Sequence, residues 1–145
     1  VKRPEQQIQQ AVVQHLRMRA EPQVFFWSTP NEGKRGFTNA AALKAAGMTA
    51  GVPDLLILKS GRLHALELKA TSGRLTPAQR LVMGRMEECG AQVAVAFSLD
   101  EALVTLECWG ILRRSVNVAS ASSPTAGETN DRDRTQQQRA TEVAG

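Results

Sequence analysis

The sequence predicts an α/β fold, a small mixed β-sheet flanked by helices, with a disordered polar tail behind it. Along residues 1–114, segments with apolar residues at helical spacing alternate with short, β-prone apolar runs. After residue 114 that patterning stops. Residues 115–145 hold no aromatic residue, no Leu and no Ile, and only three Val. Such a stretch cannot bury enough apolar surface to offset its ordering entropy, so a domain over 1–114 and a disordered tail over 115–145 are expected. At 145 residues, with 42% hydrophobic and 22% charged side chains, the chain has room for one globular domain and little else.

Each element has its own signal. Pro4 and Glu5 open a helix whose stripe runs Ile8, Ala11, Val12, His15 and Leu16. Val24-Phe25-Phe26-Trp27 is a β-prone run, followed by a basic loop, Thr29-Pro30-Asn31-Glu32-Gly33-Lys34-Arg35-Gly36. Residues 38–46 are Ala-rich and helical, and Gly47 is placed to end that helix. Gly51-Val52-Pro53 breaks the chain ahead of Asp54-Leu55-Leu56-Ile57-Leu58. Ser60-Gly61 is a hairpin turn signal, and Arg62 to Lys69 forms the returning strand. Thr76-Pro77-Ala78-Gln79 reads as a capping box with Pro at the first helical position, opening a helix that stops near Gly90. Ala91 to Phe97 has a buried-strand pattern. Ser98-Leu99-Asp100-Glu101 is a second capping box, and its helix sets Leu99, Ala102, Leu103 and Leu106 on one face.

Charge and absences bound the function. The chain carries 18 Lys and Arg against 14 Asp and Glu, a net +4. The excess lies in residues 1–114, with 15 basic and 10 acidic side chains, so the domain suits a polyanionic partner without proving one. No apolar run approaches the roughly 20 residues that span a bilayer, and no signal peptide is evident, which predicts a soluble protein of the cytoplasm. Cys89 and Cys108 lack zinc-ligand spacing and sit among apolar residues, so they are expected to be buried free thiols. There is no Tyr, and neither His sits in a paired metal motif. No Gly-x-Ser-x-Gly elbow and no phosphate-binding glycine loop occur. Catalysis would have to run on carboxylates, Lys and a metal.

The hairpin concentrates such groups. With Ser60 and Gly61 as a two-residue loop, Lys59 faces Arg62 and, counting outward, Asp54 faces Glu67. Opposed carboxylates repel, and a divalent cation between them would explain the arrangement. Alternation sends Glu67 and Lys69 to one face of the strand, with Leu66 and Leu68 on the other. Two acids and one amine at a sheet rim are the set that metal-assisted phosphodiester hydrolysis requires. The plain alternative is an acid ahead of a strand plus a surface Glu-x-Lys pair.

Pro53-Asp54 followed by Glu67-Leu68-Lys69 resembles the signature of the PD-(D/E)XK nucleases. Residues 5–110 are more specifically similar to the VRR-NUC group, the virus-type replication-repair nucleases. The supporting segments are Asn31 to Arg35, Gly47 to Leu56, Leu66 to Lys69 and Gly73 to Gln79, in family order. The resemblance implies a restriction-endonuclease-like core and an endonuclease that cleaves DNA with Mg²⁺ or Mn²⁺. Asp54 and Glu67 would hold the metal, aided by Glu5 and the Leu68 carbonyl, and Lys69 would position or activate the attacking water. Glu5 lies on the face of the buried stripe and could reach the sheet; otherwise it is an N-terminal acid favoured by the helix dipole. Gln79 matches a Gln of the family and would touch the catalytic Lys or the scissile phosphate, although a capping box wants Gln there in any case. Asn31, Lys34 and Arg35 are candidate DNA contacts, with ordinary surface charge as the competing explanation. His15 and His64 read as structural. Stand-alone relatives tend to dimerise and can act on branched DNA, so the resemblance allows a homodimer and a preference for junctions. A silent DNA-binding module and a purely structural protein are the other classes the residues admit. Cleavage of plasmid DNA would separate the first from a nuclease, and metal affinity the second.

Overall fold

The computed structural model describes residues 3–30 and 40–115. Asn31, Lys34 and Arg35 lie outside those residues, as does the expected tail from 116 to 145. In chain order the elements are α1 (Pro4–Arg19), β1 (Val24–Ser28), α2 (Ala40–Ala45), β2 (Leu55–Lys59), β3 (Arg62–Leu68), α3 (Pro77–Glu88), β4 (Gln92–Ala96) and α4 (Leu99–Cys108). Among the described residues the sheet has four strands in the order β1-β2-β3-β4. The β1–β2 and β2–β3 pairs are antiparallel and β3–β4 is parallel, so the sheet is mixed.

Two layers of helix cover it. Leu55, Ile57, Leu66 and Leu68 point to one face, where they join Val12 and Leu16 of α1 and Ala102 and Leu106 of α4 in the main core. Alternation along β3 turns Ala65 and Glu67 to the opposite face, which α3 covers. The hairpin turn fixes this assignment. Ser60 at φ 49° and Gly61 at φ 77° both lie in the left-handed region, as a type I′ turn demands, and Lys59 pairs with Arg62. A one-residue slip would have sent Glu67 into the leucine core.

Helix ends follow local chemistry. Thr76 Oγ1 accepts from the Gln79 N–H, and Gln79 Oε1 accepts in return from the Thr76 N–H, completing the expected box. At the second expected box only half forms as drawn. Ser98 Oγ accepts from the Glu101 N–H, but the Glu101 carboxylate takes the Phe97 N–H, one residue earlier than the reciprocal pattern. The α2 helix ends at Gly47, φ 92°, where the Met48 N–H bonds Leu43 O and the Gly47 N–H bonds Lys44 O.

Two expectations fail. Cys89 and Cys108 are free but exposed, not buried. Cys89 caps the C-terminus of α3, and Cys108 lies two residues past Leu106, which turns it away from the buried stripe of α4. The β4 strand is half-buried through most of its length because it forms an edge of the sheet, with a neighbour on one side only. No helix among the described residues is long and apolar enough to cross a membrane.

Gly51 carries a constraint that its neighbours do not. Its φ is 87°, and a Cβ there would lie 2.6 Å from Ala78 C, 2.7 Å from Ala78 O and 2.8 Å from Gln79 N. These are backbone atoms of the first turn of α3, which cannot swing aside. Gly47 has a similar φ of 92° but open space around its Cβ position. Gly51→Ala should therefore destabilise by at least about 2 kcal/mol, from strain and overpacking together. Gly47→Ala should cost about 1–2 kcal/mol, from strain alone. Denaturant unfolding of the two variants checks the difference, and equal losses would mean that the contact with α3 is not tight.

Candidate active site

The end of β3, the residues just ahead of β2 and the first turn of α3 meet at one rim of the sheet. Glu67 stands at the centre with 1% of its surface exposed. Its Oε1 accepts from Lys69 Nζ at 2.8 Å and from Gln79 Nε2 at 2.5 Å. Its Oε2 is buried and has no hydrogen-bond partner among the described residues. Gln79 thus works with both ends of its amide. The oxygen caps α3 through Thr76, as the capping reading expects, while the nitrogen holds Glu67 rather than the Lys or a phosphate that the resemblance implied.

Asp54 reaches the rim by a different route. The observed β2–β3 register ends at Leu55 opposite Leu66; continued outward it would set Asp54 opposite Glu67 and Pro53 opposite Leu68. In a two-residue hairpin the hydrogen-bonded pairs alternate from Lys59–Arg62, so Pro53–Leu68 is due to be one of them. Proline has no N–H to give, which leaves the Leu68 carbonyl without its ladder donor from that side. The Leu68 N–H turns instead to Asp54 Oδ2, at 2.9 Å. The Pro53 carbonyl is taken by Thr29 Oγ1 at 2.9 Å, and the Thr29 N–H donates to the Asp54 carbonyl at 3.0 Å.

The charges perturb one another. Burial pushes the Asp54 carboxyl up, against the opposing pull of the Leu68 N–H and Lys69. Burial also raises Glu67, and the charge of Asp54 adds to that rise, while Lys69 and, more weakly, the backbone N–H of Asp54 resist it. Burial alone would lower the Lys69 ammonium, but its hydrogen bond to Glu67 and the charges of Glu67, Glu5 and Asp54 outweigh it. Lys69 is therefore raised, and it is an ammonium throughout the neutral range.

The other expected residues take varied places. Glu5 approaches the same rim from α1, where its Oε1 accepts from the Ala70 N–H at 3.4 Å. It does not join the two acids in one cluster: no three His, Cys, Asp or Glu side chains among the described residues are grouped to hold one ion. His15 contacts Arg19 Nη1 through Nδ1 at 3.2 Å, and His64 is buried against Trp109 with ring centroids 5.3 Å apart. Both are away from the carboxylates. Thr29 and Gly51 escaped the sequence reading. By sequence Thr29 opens a loop and Gly51 breaks the chain ahead of a strand, and nothing local says what either touches.

A cleft of about 530 Å³ opens beside Asp54, lined also by Thr29, Gly51, Thr76 and Gln79. A larger groove of about 890 Å³ lies between the hairpin turn and Met86, but its lining includes no carboxylate. The smaller cleft is the one with chemistry at its wall.

Comparison with known proteins agrees with this architecture. The VRR-NUC domain family matches residues 3–99. A solved structure described as a VRR_NUC domain protein is similar with a TM-score of 0.62 at 21% identity, over 75% of this chain and 89% of that one. Another, described as a VRR_NUC domain, has a TM-score of 0.49 at 20% identity, over 71% and 94%. At such identity the first likeness speaks for the fold alone. No curated protein matches.

The raised acids have a consequence for stability. A carboxylate with a raised folded pKa binds its proton more readily folded than unfolded. Its contribution is then most favourable where it is protonated, and falls as pH rises from about 4 through the higher folded pKa. Lys69, being raised, keeps its charge across this window. Asp54→Asn removes one raised acid yet keeps an oxygen for the Leu68 N–H. In metal-free buffer its melting temperature should match or exceed that of the wild type, and the gap should widen from about pH 5 to about pH 8. A gap that closed with rising pH would mean that Asp54 is not held at the expense of its charge.

Proposed function

Since the chain belongs to the VRR-NUC family, whose domain is of nuclease type, we propose that it is a divalent-metal-dependent DNA endonuclease with its cleaving centre at Asp54, Glu67 and Lys69. One observation carries the proposal: a fully buried acid, Glu67, has one oxygen satisfied by Lys69 and Gln79 and the other left without a partner beside Asp54. Buried carboxylate oxygens are normally paired or bound to metal. The donor set is all oxygen, as Mg²⁺ and Mn²⁺ prefer.

Asp54, Glu67 and the Leu68 carbonyl would hold the ion, with Glu5 near enough to influence the rim through its charge. When bound, such an ion polarises a phosphate oxygen and lowers the pKa of bound water. The protein's own groups supply the rest. Lys69 is a poor general base, because it keeps its proton; it orients water and neutralises charge that develops on the phosphate. Gln79 holds Glu67 in place from the helix. Lys34 and Arg35 would contact DNA phosphates, and Asn31 would be a further DNA contact. The family resemblance extends the proposal to branched substrates and to a homodimer.

Cleavage of linear, single-stranded, flapped and four-way DNA, each with Mg²⁺ or Mn²⁺, tests the reading; no cleavage of any would overturn it. Lys69→Ala should lower the cleavage rate by about 10²–10³-fold. Metal binding should persist, because an ammonium is not a ligand; a variant that cut at the wild-type rate would exclude this centre. DNA affinity should fall steeply with salt. Replacing both Lys34 and Arg35 with Ala should flatten the salt slope by about one to two units. An unchanged slope would place the binding surface elsewhere.

A further inference from the structure

Asp54 is fixed from two sides, and one of them depends on a side chain outside the acids. The Thr29 N–H donates to the Asp54 carbonyl at 3.0 Å, and its hydroxyl donates to the Pro53 carbonyl at 2.9 Å. Two bonds from one residue therefore clamp the peptide units on both sides of the Asp54 α-carbon. Pro53 is fully buried, and its ring already fixes φ. The freedom left to it is ψ, which turns its carbonyl and the peptide leading into Asp54. The Thr29 hydroxyl holds that carbonyl.

The clamp also decides which acceptor the Leu68 N–H finds. If the β2–β3 register were continued past its last pair, Leu55 with Leu66, the Pro53 carbonyl would be the ladder partner due to Leu68. With Thr29 Oγ1 on that carbonyl, the Leu68 N–H goes to Asp54 Oδ2 at 2.9 Å. Removing the hydroxyl leaves a buried carbonyl in need of a donor, and the nearest by register is the one that now orients the Asp54 carboxylate. A buried acceptor left unpaired is unfavourable, so the exchange is driven.

We infer that Thr29 is a positioning residue for Asp54: its hydroxyl, by occupying the Pro53 carbonyl, reserves the Leu68 N–H for the Asp54 carboxylate and so sets the geometry with which that carboxylate meets a divalent cation. The inference rests on the metal-dependent nuclease reading above. It adds a residue that lines the cleft without acting as a ligand.

The test compares Thr29→Val, which keeps the shape and loses the hydroxyl, with Thr29→Ser, which keeps the hydroxyl and loses a methyl. Mn²⁺ alone is titrated into each full-length protein by calorimetry. Melting temperatures are read with and without Mn²⁺, and cleavage is followed against DNA concentration at saturating metal. Partners that orient metal ligands typically change affinity or activity by about 10- to 100-fold when lost. Thr29→Val should bind Mn²⁺ more weakly by that factor, show a smaller metal-induced melting shift, and lose kcat with KM for DNA nearly unchanged. Thr29→Ser should stay close to wild type on every readout. Wild-type Mn²⁺ affinity in Thr29→Val would overturn the inference and leave the nuclease reading intact. So would equal losses in both variants, since the methyl and its packing would then be responsible. A wild-type protein that neither bound Mn²⁺ nor cut DNA would overturn the nuclease reading itself.

Discussion

Burying the Glu67 carboxylate is the constraint from which the rest of this rim follows. An isolated ionised carboxylate in an apolar interior costs more than the entire net stability of a small domain, so donors must come with it. Lys69 is the donor available at no topological cost, because residues two apart on a strand share a face. Gln79 has to come from another element, and its bond to Glu67 Oε1 sets the first turn of α3 over the end of β3. Once α3 is there, the chain entering β2 must pass against its backbone. Gly51 makes that passage possible, since a Cβ would sit within 2.8 Å of three α3 backbone atoms.

Local chemistry in the sequence anticipated a good deal of this, and the reason is that much of it is local. Ser60-Gly61 specified the tight turn, and the turn fixed the pairing as far as Leu55 with Leu66, while alternation along β3 brought Lys69 to the side of Glu67. Element order was readable because helical and strand periodicities alternate without ambiguity before residue 114. The misses are of another kind. Apolar neighbours in sequence could not say which side of α4 Cys108 occupies, and an apolar run such as Gln92–Ala96 looks the same at the edge of a sheet as at its centre. The Glu101 carboxylate had two backbone donors within reach, and the pattern did not say it would take Phe97. Thr29 and Gly51 act through contacts 24 or more residues away in the chain, which no short motif encodes.

The Pro-Asp dipeptide acts here through a subtracted hydrogen bond. In an unbroken ladder Pro53 and Leu68 would exchange two bonds, as their register directs. Proline removes one by lacking an N–H, and Thr29 diverts the other by occupying the proline carbonyl. Both backbone groups of Leu68 on that edge are thereby released from the sheet. The N–H goes to the Asp54 carboxylate, and the carbonyl has no N–H on Pro53 to receive. A strand end that would ordinarily close on its neighbour becomes a short row of oriented polar groups.

The protonation states narrow what those groups can do. Asp54 and Glu67 are both pushed up, while Lys69 is held up by the acids around it, so the amine keeps its proton wherever either acid gives one away. An ammonium in that position cannot accept a proton from water. It can present its remaining N–H donors from a fixed point, 2.8 Å from an acid that is itself pinned by Gln79. Donors anchored in this way need not reorganise when negative charge grows on a phosphate, which is the condition under which electrostatic stabilisation is most effective. In a nuclease built on this rim, Lys69 therefore acts by charge and position, and the proton released by the attacking water must leave by another path.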